Sequence, residues 1–200
     1  GGKNMTGKLC AKGILIVLML CLSACGGLRF SQLDPAAENY HPRRIAVFAA
    51  DVGTYEEARL HIDQIVPGVL VEKKWFEDVV DASSLARQTA ANPDLQNALA
   101  SYLSKLRTLN FSDAELSKQI GDITKTDAFL LVSVDFWNYT TEKDKKIARV
   151  GMAMRLIDAQ TGKIMWKAGH TRDESYILLK PALANVAGSL VSQMVGYMPR

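Results

Sequence analysis

The chain has 200 residues, of which 48% are hydrophobic and 22% are charged, and this composition is that of one globular domain with a substantial core. Its formal net charge is +3 at pH 7. The excess lies in Lys3, Lys8 and Lys12, because removing them from the 24 basic residues leaves 21, which equals the 21 acidic residues. The rest of the chain lacks the positive excess that nucleic-acid phosphates require, so we expect no nucleic-acid partner.

An uncharged apolar run follows the basic stretch that ends at Lys12, and it spans residues 13–22. A helix that crosses a bilayer of about 30 Å needs about 20 apolar residues, whereas a run of this length is typical of the core of a secretory signal peptide. We therefore expect residues 1–24 to be a signal peptide, with Met5 as its start and residues 1–4 as an upstream extension.

The run closes with Leu22, Ser23, Ala24 and Cys25, followed by Gly26. A branched apolar residue, two small residues and a cysteine resemble the lipobox of bacterial lipoproteins. The resemblance implies that signal peptidase recognises residues 22–24, that the chain is cut before Cys25, and that the Cys25 thiolate receives diacylglycerol and palmitate-type acyl chains. The residue after Cys25 is Gly26 rather than an aspartate, which resembles lipoproteins that are sent to the periplasmic face of the outer membrane. A plain secretory signal or an uncleaved anchor is the alternative interpretation.

Residues 26–42 show no sustained periodicity and are predicted to be a tether between the lipidated Cys25 and a domain that spans residues 43–200. Fully extended, this tether would reach about 50 Å. Cys10 and Cys21 lie before the expected cut, so Cys25 would be the one cysteine of the mature chain and no disulfide would form within it.

The first half of the domain is predicted to alternate strands and helices. The apolar segment 45–50 indicates a buried strand. Thr54 and Glu57 form a capping-box pattern ahead of a helix that should end at Pro67-Gly68, and residues 69–71 are predicted to be a short strand. Residues 75–91 fit one or two brief helices, and two clearer helices should begin at Asn92-Pro93 and at Ser112.

From Asp127 the apolar period changes from 3.6 to 2, which predicts a three-strand antiparallel meander. Its first strand should carry residues 128, 130, 132, 134 and 136 on one side and the odd-numbered residues through 139 on the other. Residues 147–157 and 164–168 follow as strands, joined by a tight turn at 158–163, and Pro181 opens a terminal helix. The predicted fold class is α/β (α+β), a single domain with a mixed sheet and helices packed on one face.

The domain resembles a superfamily of periplasmic lipoprotein domains. Its known members include the curli-secretion lipoprotein, the peptidoglycan-synthase activator lipoproteins, neisserial surface lipoproteins and the TolB amino-terminal domain. The resemblance covers most of residues 43–173, and it is carried by segments 44–48, 126–134 and, most of all, 155–167, which reads Arg-Leu-Ile-Asp-Ala-Gln-Thr-Gly-Lys-Ile-Met-Trp-Lys. It implies a fold and marks no active site.

Catalytic, cofactor-binding and metal-ligating patterns are not found in the sequence. The three histidines, His41, His61 and His170, lack the spaced partners of a metal site. Gly188-Ser189 lacks the second glycine of a nucleophile elbow. Asp135 stands among apolar neighbours, where Arg149 or Arg155 would be its expected cross-strand partner. We therefore expect a protein that is not an enzyme.

The aromatic residues Phe136, Trp137 and Tyr139 have two interpretations. The first is packing in the core, and the second is a docking patch for a protein partner at the end of a strand. Both remain open at the level of sequence.

Four functional hypotheses follow from these features, and one of them, hydrolysis of an envelope polymer or lipid, has no catalytic pattern in the sequence to support it. The lipid anchor and the neutral domain favour a non-enzymatic envelope lipoprotein that binds protein partners, itself included, as an assembly or accessory component. An oligomeric secretion-pore component is an alternative, but it needs additional amphipathic hairpins and the chain offers no spare pair. An accessory lipoprotein of a transport or cell-wall synthesis system differs from the first hypothesis in its partner alone.

Overall fold

The structure is a computed structural model that describes residues 30–199. Within this range the strands are β1 (Phe30–Leu33), β2 (Arg44–Val47), β3 (Asp78–Val80), β4 (Ala128–Glu142), β5 (Lys145–Asp158) and β6 (Ile164–Tyr176). The α-helices are α1 (Arg59–Lys73), α2 (Ala82–Ala91), α3 (Pro93–Leu109), α4 (Ala114–Thr124) and α5 (Leu183–Val195). Short 3-10 helices lie at Pro35–Asn39 and Glu56–Ala58.

The strands form one six-stranded mixed sheet in the order β1-β6-β5-β4-β2-β3. Strand β2 is parallel to both β3 and β4, whereas β4, β5, β6 and β1 are antiparallel to their neighbours. The predicted fold class and the three-strand meander are confirmed. Among residues 30–199, none of the helices combines the length and apolarity needed to span a bilayer.

Alternating side chains divide the core between the two faces of the sheet. Ile45 and Val47 of β2 belong to a first cluster, which α1 and α5 cover, while Ala46 and Phe48 belong to a second cluster with residues of α2, α3 and α4. The predicted covering of one face by helices describes α1 and α5. Helices α2–α4 add a layer on the opposite face, which the apolar character of residues 46, 48 and 129 requires.

Helix α1 is longer than predicted, because it continues through Pro67 and Gly68 to Lys73. The predicted strand at residues 69–71 was wrong. Ile62, Val66 and Leu70 are buried one turn apart, and this continuous apolar face stabilises the helix across the proline. The predicted capping box was also wrong: the 3-10 turn Glu56–Ala58 leads into α1, and its N-terminal residue makes no side-chain cap.

The boundaries of α3 and α4 follow their caps. The Asn92 side chain accepts hydrogen bonds from the amides of Asp94 and Leu95, as its position before Pro93 predicts. The cap of α4 is Asp113, whose side chain accepts from the Leu116 amide at 3.1 Å. Ser112, the predicted cap, lies 2.8 Å from the Tyr102 hydroxyl.

A β-bulge between Val134 and Phe136 changes the alternation of β4. It leaves Asp135 exposed, so the expected cross-strand partner of a buried carboxylate is not needed. Beyond the bulge the two sides of the strand exchange, since one extra residue shifts a period of two by half a cycle. Trp137 therefore joins Val134 in the first cluster, and Phe136 moves to the opposite face.

The described part of the predicted tether is bound to the domain. Strand β1 pairs with β6, with Phe30 opposite Gly169 and Leu33 opposite Trp166. Further along, the Tyr40 hydroxyl donates to the Asp127 carbonyl at 3.1 Å. The prediction that residues 26–42 are a tether is therefore corrected for residues 30–42: residues 30–33 form the edge strand of the sheet, and Tyr40 is bonded to the Asp127 carbonyl.

Candidate functional site

The predicted processing and lipidation residues, Leu22, Ser23, Ala24 and Cys25, lie outside the described residues. The structure nevertheless fixes where the chain enters the domain. Cys25 precedes Phe30 by five positions, and five residues span at most about 17 Å. A lipid on Cys25 would therefore keep the start of β1 within about 17 Å of a membrane surface, whereas the predicted tether would let the domain stand up to about 50 Å away.

Side-chain contacts fix β1 to the sheet. The buried Trp166 ring donates from Nε1 to Ser31 Oγ at 3.0 Å, and Lys163 pairs with Asp34 at 2.7 Å. The hydrogen bond from Lys163 and that from the Ala36 amide hold the pKa of Asp34 below its ordinary value. The Phe30 ring covers Gly169, whose Cβ position would lie 2.5 Å from a ring carbon. Strand β1, where the chain enters the domain, is thus held in place by side-chain contacts as well as by backbone pairing.

The direction of β1 brings the entry point toward one end of the sheet. Because β1 is antiparallel to β6, its amino-terminal end points toward Tyr176, where β6 ends. The β4–β5 connection lies at this same end, since Lys146 of β5 pairs with Tyr176. The opposite end holds the β5–β6 turn and α4, which meet where Ser117 Oγ donates to the Ala159 carbonyl. We call the first of these the hairpin end.

The hairpin end combines lysines with exposed aliphatic side chains. Lys143 and Asp144 form the two-residue β4–β5 turn with φ of 47° and 62°, and Lys145 and Lys146 follow as exposed residues. Directly after β6, the side chains of Ile177, Leu178 and Leu179 are 87%, 91% and 89% exposed. We call residues 177–179 the apolar loop. Lys146, Lys180 and the start of this loop line one shallow depression.

Tyrosines hold the base of the apolar loop. The rings of Tyr139 and Tyr176 meet edge to face at 6.1 Å, and Lys180 Nζ lies 3.5 Å from the centre of the Tyr139 ring. The Tyr139 hydroxyl donates to the Pro181 carbonyl at 2.8 Å. The chain is therefore fixed just before and just after the apolar loop, while the loop itself projects from the surface.

The structure does not bring the three predicted docking residues onto one surface. Trp137 is buried and stacks on His61, with ring centres 5.9 Å apart. Tyr139 is partly buried and packs against the first core cluster, to which Trp137 belongs. Phe136 lies on the opposite face, in contact with Gly151 and with the Arg149 guanidinium 6.0 Å from its ring centre.

A groove of about 430 Å³ lies between α3 and the second face of the sheet. Leu103, Leu106 and Leu131 give it an apolar floor. Its charged rim is paired internally, because Arg155 donates to Asn110 Oδ1 at 2.9 Å and Arg107 lies 3.7 Å from Asp51. No sequence pattern indicates this groove, since its lining comes from four separate segments of the chain.

His61 and Ser189 are exposed, whereas His170 is buried. His61 stacks on Trp137, and His170 is buried within β6, where burial and the nearby Arg172 lower its pKa. Ser189 lies inside α5. Across residues 30–199, no group of three or more histidine, cysteine, aspartate or glutamate side chains is arranged to hold a metal ion.

The apolar loop was missed by the sequence analysis. Its signal was an Ile-Leu-Leu run between the polar residues 170–175 and Lys180-Pro181, which does not continue the alternation of β6. Such a run is compatible with burial as well as with exposure, so sequence alone does not separate the two.

Comparison with known proteins gives a likeness of fold. No protein-family model and no curated protein sequence matches the chain. Among solved structures, the PelC dodecamer from Paraburkholderia phytofirmans matches with a TM-score of 0.54 at 17% identity, over 85% of this chain and 95% of PelC. A PelC variant in another crystal form gives 0.53, 16%, 85% and 96%. Lipoprotein GNA1162 from Neisseria meningitidis gives 0.48, 16%, 78% and 99%. This chain shares the fold of PelC.

Proposed function

We propose that this chain is a non-enzymatic lipoprotein of the bacterial envelope, anchored through Cys25 at the periplasmic face of the outer membrane, and that it acts by binding protein partners. The observation that carries the proposal is the lipobox at residues 22–25, which ends five residues before a strand that is part of the folded sheet. Such a short connection makes the lipid a positioning device for the domain as well as an anchor.

Self-association is the form of partner binding that we favour. PelC, whose fold the chain shares along nearly its whole described length, forms a dodecamer in its crystals. Exposed aliphatic side chains such as Leu60 and Val71 on α1 supply apolar surface for contacts between copies. A heterologous partner from a transport or cell-wall synthesis system would use the same class of surface.

Acylation is tested by labelling the protein with a palmitate analogue in a Gram-negative host. We expect the native chain to take the label and to lose residues 1–24. Cys25→Ser should lose the label and keep the leader, because the acceptor thiol is gone. Cys21→Ser, a change of the same chemistry within the leader, is the matched control and should be labelled normally. Labelling that survives Cys25→Ser would contradict the proposed anchor.

Partner binding is tested on acylated protein purified in mild detergent. We expect its mass by light scattering to exceed that of one chain plus detergent, and to fall on dilution only at low concentration. A single-chain mass at every concentration would contradict self-association. Crosslinking of intact envelopes then separates the alternatives. A reproducible foreign partner would favour an accessory role, crosslinked multimers of the chain would favour self-association, and recovery of uncrosslinked single chains would count against partner binding altogether.

A further inference from the structure

We infer that the hairpin end of the domain rests on the bilayer, with the apolar loop inserted among the lipid headgroups and the lysines around it facing lipid phosphates. The inference rests on the proposed function, because it takes Cys25 as the point of attachment. It adds an orientation of the domain and a second membrane contact, which neither the lipobox nor the shared fold supplies.

The position of Phe30 along β6 limits how far the hairpin end can lie from Cys25. Along β6, Gly169 lies opposite Phe30, and the eight positions from Gly169 to Ile177 span about 27 Å at 3.3–3.4 Å per residue. The amino-terminal end of β1 points in this direction, and the five positions from Phe30 back to Cys25 span at most about 17 Å. Even with the connection fully extended and the strands along the membrane normal, the apolar loop would lie about 10 Å beyond Cys25. The loop therefore meets the bilayer at every length of the connection, and a tilt of the strands brings Cys25 and the loop to the membrane surface together.

The surface that would make this contact has an aliphatic tip and an aromatic base. Three consecutive aliphatic side chains are almost completely exposed, which is costly in water and favourable in the interfacial layer of a bilayer. Tyr139 and Tyr176 lie directly behind them, and tyrosine is enriched at the level of the lipid headgroups. The occupant that fits an apolar tip with an aromatic base is a lipid surface.

The charge around the apolar loop is positive. Lys143, Lys145, Lys146 and Lys180 are exposed around the apolar loop, and long lysine side chains can reach phosphates while their alkyl parts stay near apolar surface. Four acidic residues of the described range lie at this end: Glu142 and Asp173 share Arg149 at 2.8 Å and 2.6 Å, Glu174 is paired with Arg172 at 2.9 Å, and Asp144 lies in the turn between the lysines. The remaining positive charge complements phosphatidylglycerol and other anionic lipids.

The experiment uses the acylated mature protein in vesicles of phosphatidylethanolamine and phosphatidylglycerol. A polarity-sensitive fluorophore is attached through Leu178→Cys, where the side chain is exposed and its replacement leaves the core intact. The matched control is Gln119→Cys, an exposed position on α4 at the opposite end of the sheet. Lipids with brominated acyl chains serve as short-range quenchers.

We expect most of the fluorescence at position 178 to be lost on brominated vesicles, together with a blue shift, and the label at position 119 to be unaffected. Adding Ile177→Ser and Leu179→Ser beside the label should restore the fluorescence at position 178, because the apolar contact is removed. Both side chains are exposed, so folding should not change.

An unquenched label at position 178 on protein that floats with the vesicles would overturn the inference and leave the proposed function intact. Disulfide crosslinking of unlabelled Leu178→Cys between two copies, with no quenching of the labelled protein, would overturn it in favour of a second copy as the occupant. Protein that takes a second label has a free Cys25 thiol, and this result would overturn the proposed anchor and the inference together.

Discussion

Gly162 shows how a single residue fixes the most characteristic segment of the chain, the β5–β6 turn. Its φ is 68°, in the left-handed region that glycine adopts readily, and its amide donates to the Asp158 carbonyl at 2.8 Å. The Thr161 hydroxyl donates to the Asp158 carboxylate at 2.5 Å. A Cβ at Gly162 would lie 3.0 Å from the Ala114 Cα, so the same residue also sets how closely the turn approaches α4.

Gly162→Ala is expected to destabilise the protein. The left-handed backbone costs an alanine roughly 1–2 kcal/mol, and contact with the α4 backbone adds to this. The control is Gly68→Ala in α1, where the new Cβ meets nothing within 4 Å and a gain of about 0.5–1 kcal/mol is expected from helix propensity. Urea unfolding followed by tryptophan fluorescence measures both. Equal stabilities of the two variants would refute this account of the turn.

At the scale of elements, the corner between α3 and α4 depends on one carboxylate. Asp113 caps α4 and accepts a hydrogen bond from Lys105 of α3 at 2.5 Å. The Lys105 ammonium and the Leu116 amide hold the pKa of Asp113 below its ordinary value of 3.8. Because the folded state holds this proton less tightly than the unfolded chain, the contribution to stability is complete above the ordinary pKa and is lost as the pH falls through the lowered one.

Asp113→Asn should therefore lower stability at neutral pH and reduce the loss of stability on acidification. Lys105→Met should reduce the acid dependence in the same way, because it removes the first partner of the carboxylate. Urea midpoints measured between about pH 6 and about pH 2.5 test this, since they bracket the titration of an aspartate. Acid dependence that is unchanged in both variants would show that the pair does not couple α3 to α4.

The attachment of β1 is the second feature at this scale, because it sets the distance between Cys25 and the domain. Ser31→Ala removes the acceptor of the buried Trp166 indole and should cost about 1 kcal/mol. Hydrogen exchange of the amides of residues 31–33 should become faster, as the edge strand opens more often. Ser101→Ala, at an exposed position on α3, is the control: exchange at residues 31–33 should be unchanged, and stability should change by no more than about 0.5 kcal/mol. Unaltered exchange in Ser31→Ala would mean that other contacts hold the strand.

At the scale of the whole molecule, periodicity predicted the elements in which one pattern runs without interruption. Strand β5, α3 and the terminal helix are of this kind, since alternation or helical spacing persists along each of them. The failures occur where tertiary contacts outweigh a local signal. Pro67-Gly68 predicts a helix end, yet Ile62, Val66 and Leu70 bury one continuous face across it.

At the candidate site, three features escape prediction from the sequence: strand β1, the bulge at Asp135 and the apolar loop. Strand β1 is short and exposed, so it has no apolar period of its own, and only its pairing with β6 reveals it. The bulge at Asp135 reversed the assignment of Trp137 and Phe136, because an extra residue in one strand is specified by its partner strand. The apolar loop became visible only when the end of β6 and the β4–β5 turn were placed side by side.

The central claim is that a lipid on Cys25 joins a folded, water-facing domain to the envelope membrane. Intact-mass analysis of the protein isolated from bacterial membranes tests it most directly. The account predicts a chain that begins at Cys25 and carries the added mass of a diacylglycerol thioether and acyl groups. A chain with an unmodified Cys25, whether the leader is still attached or is cut at another residue, would contradict it.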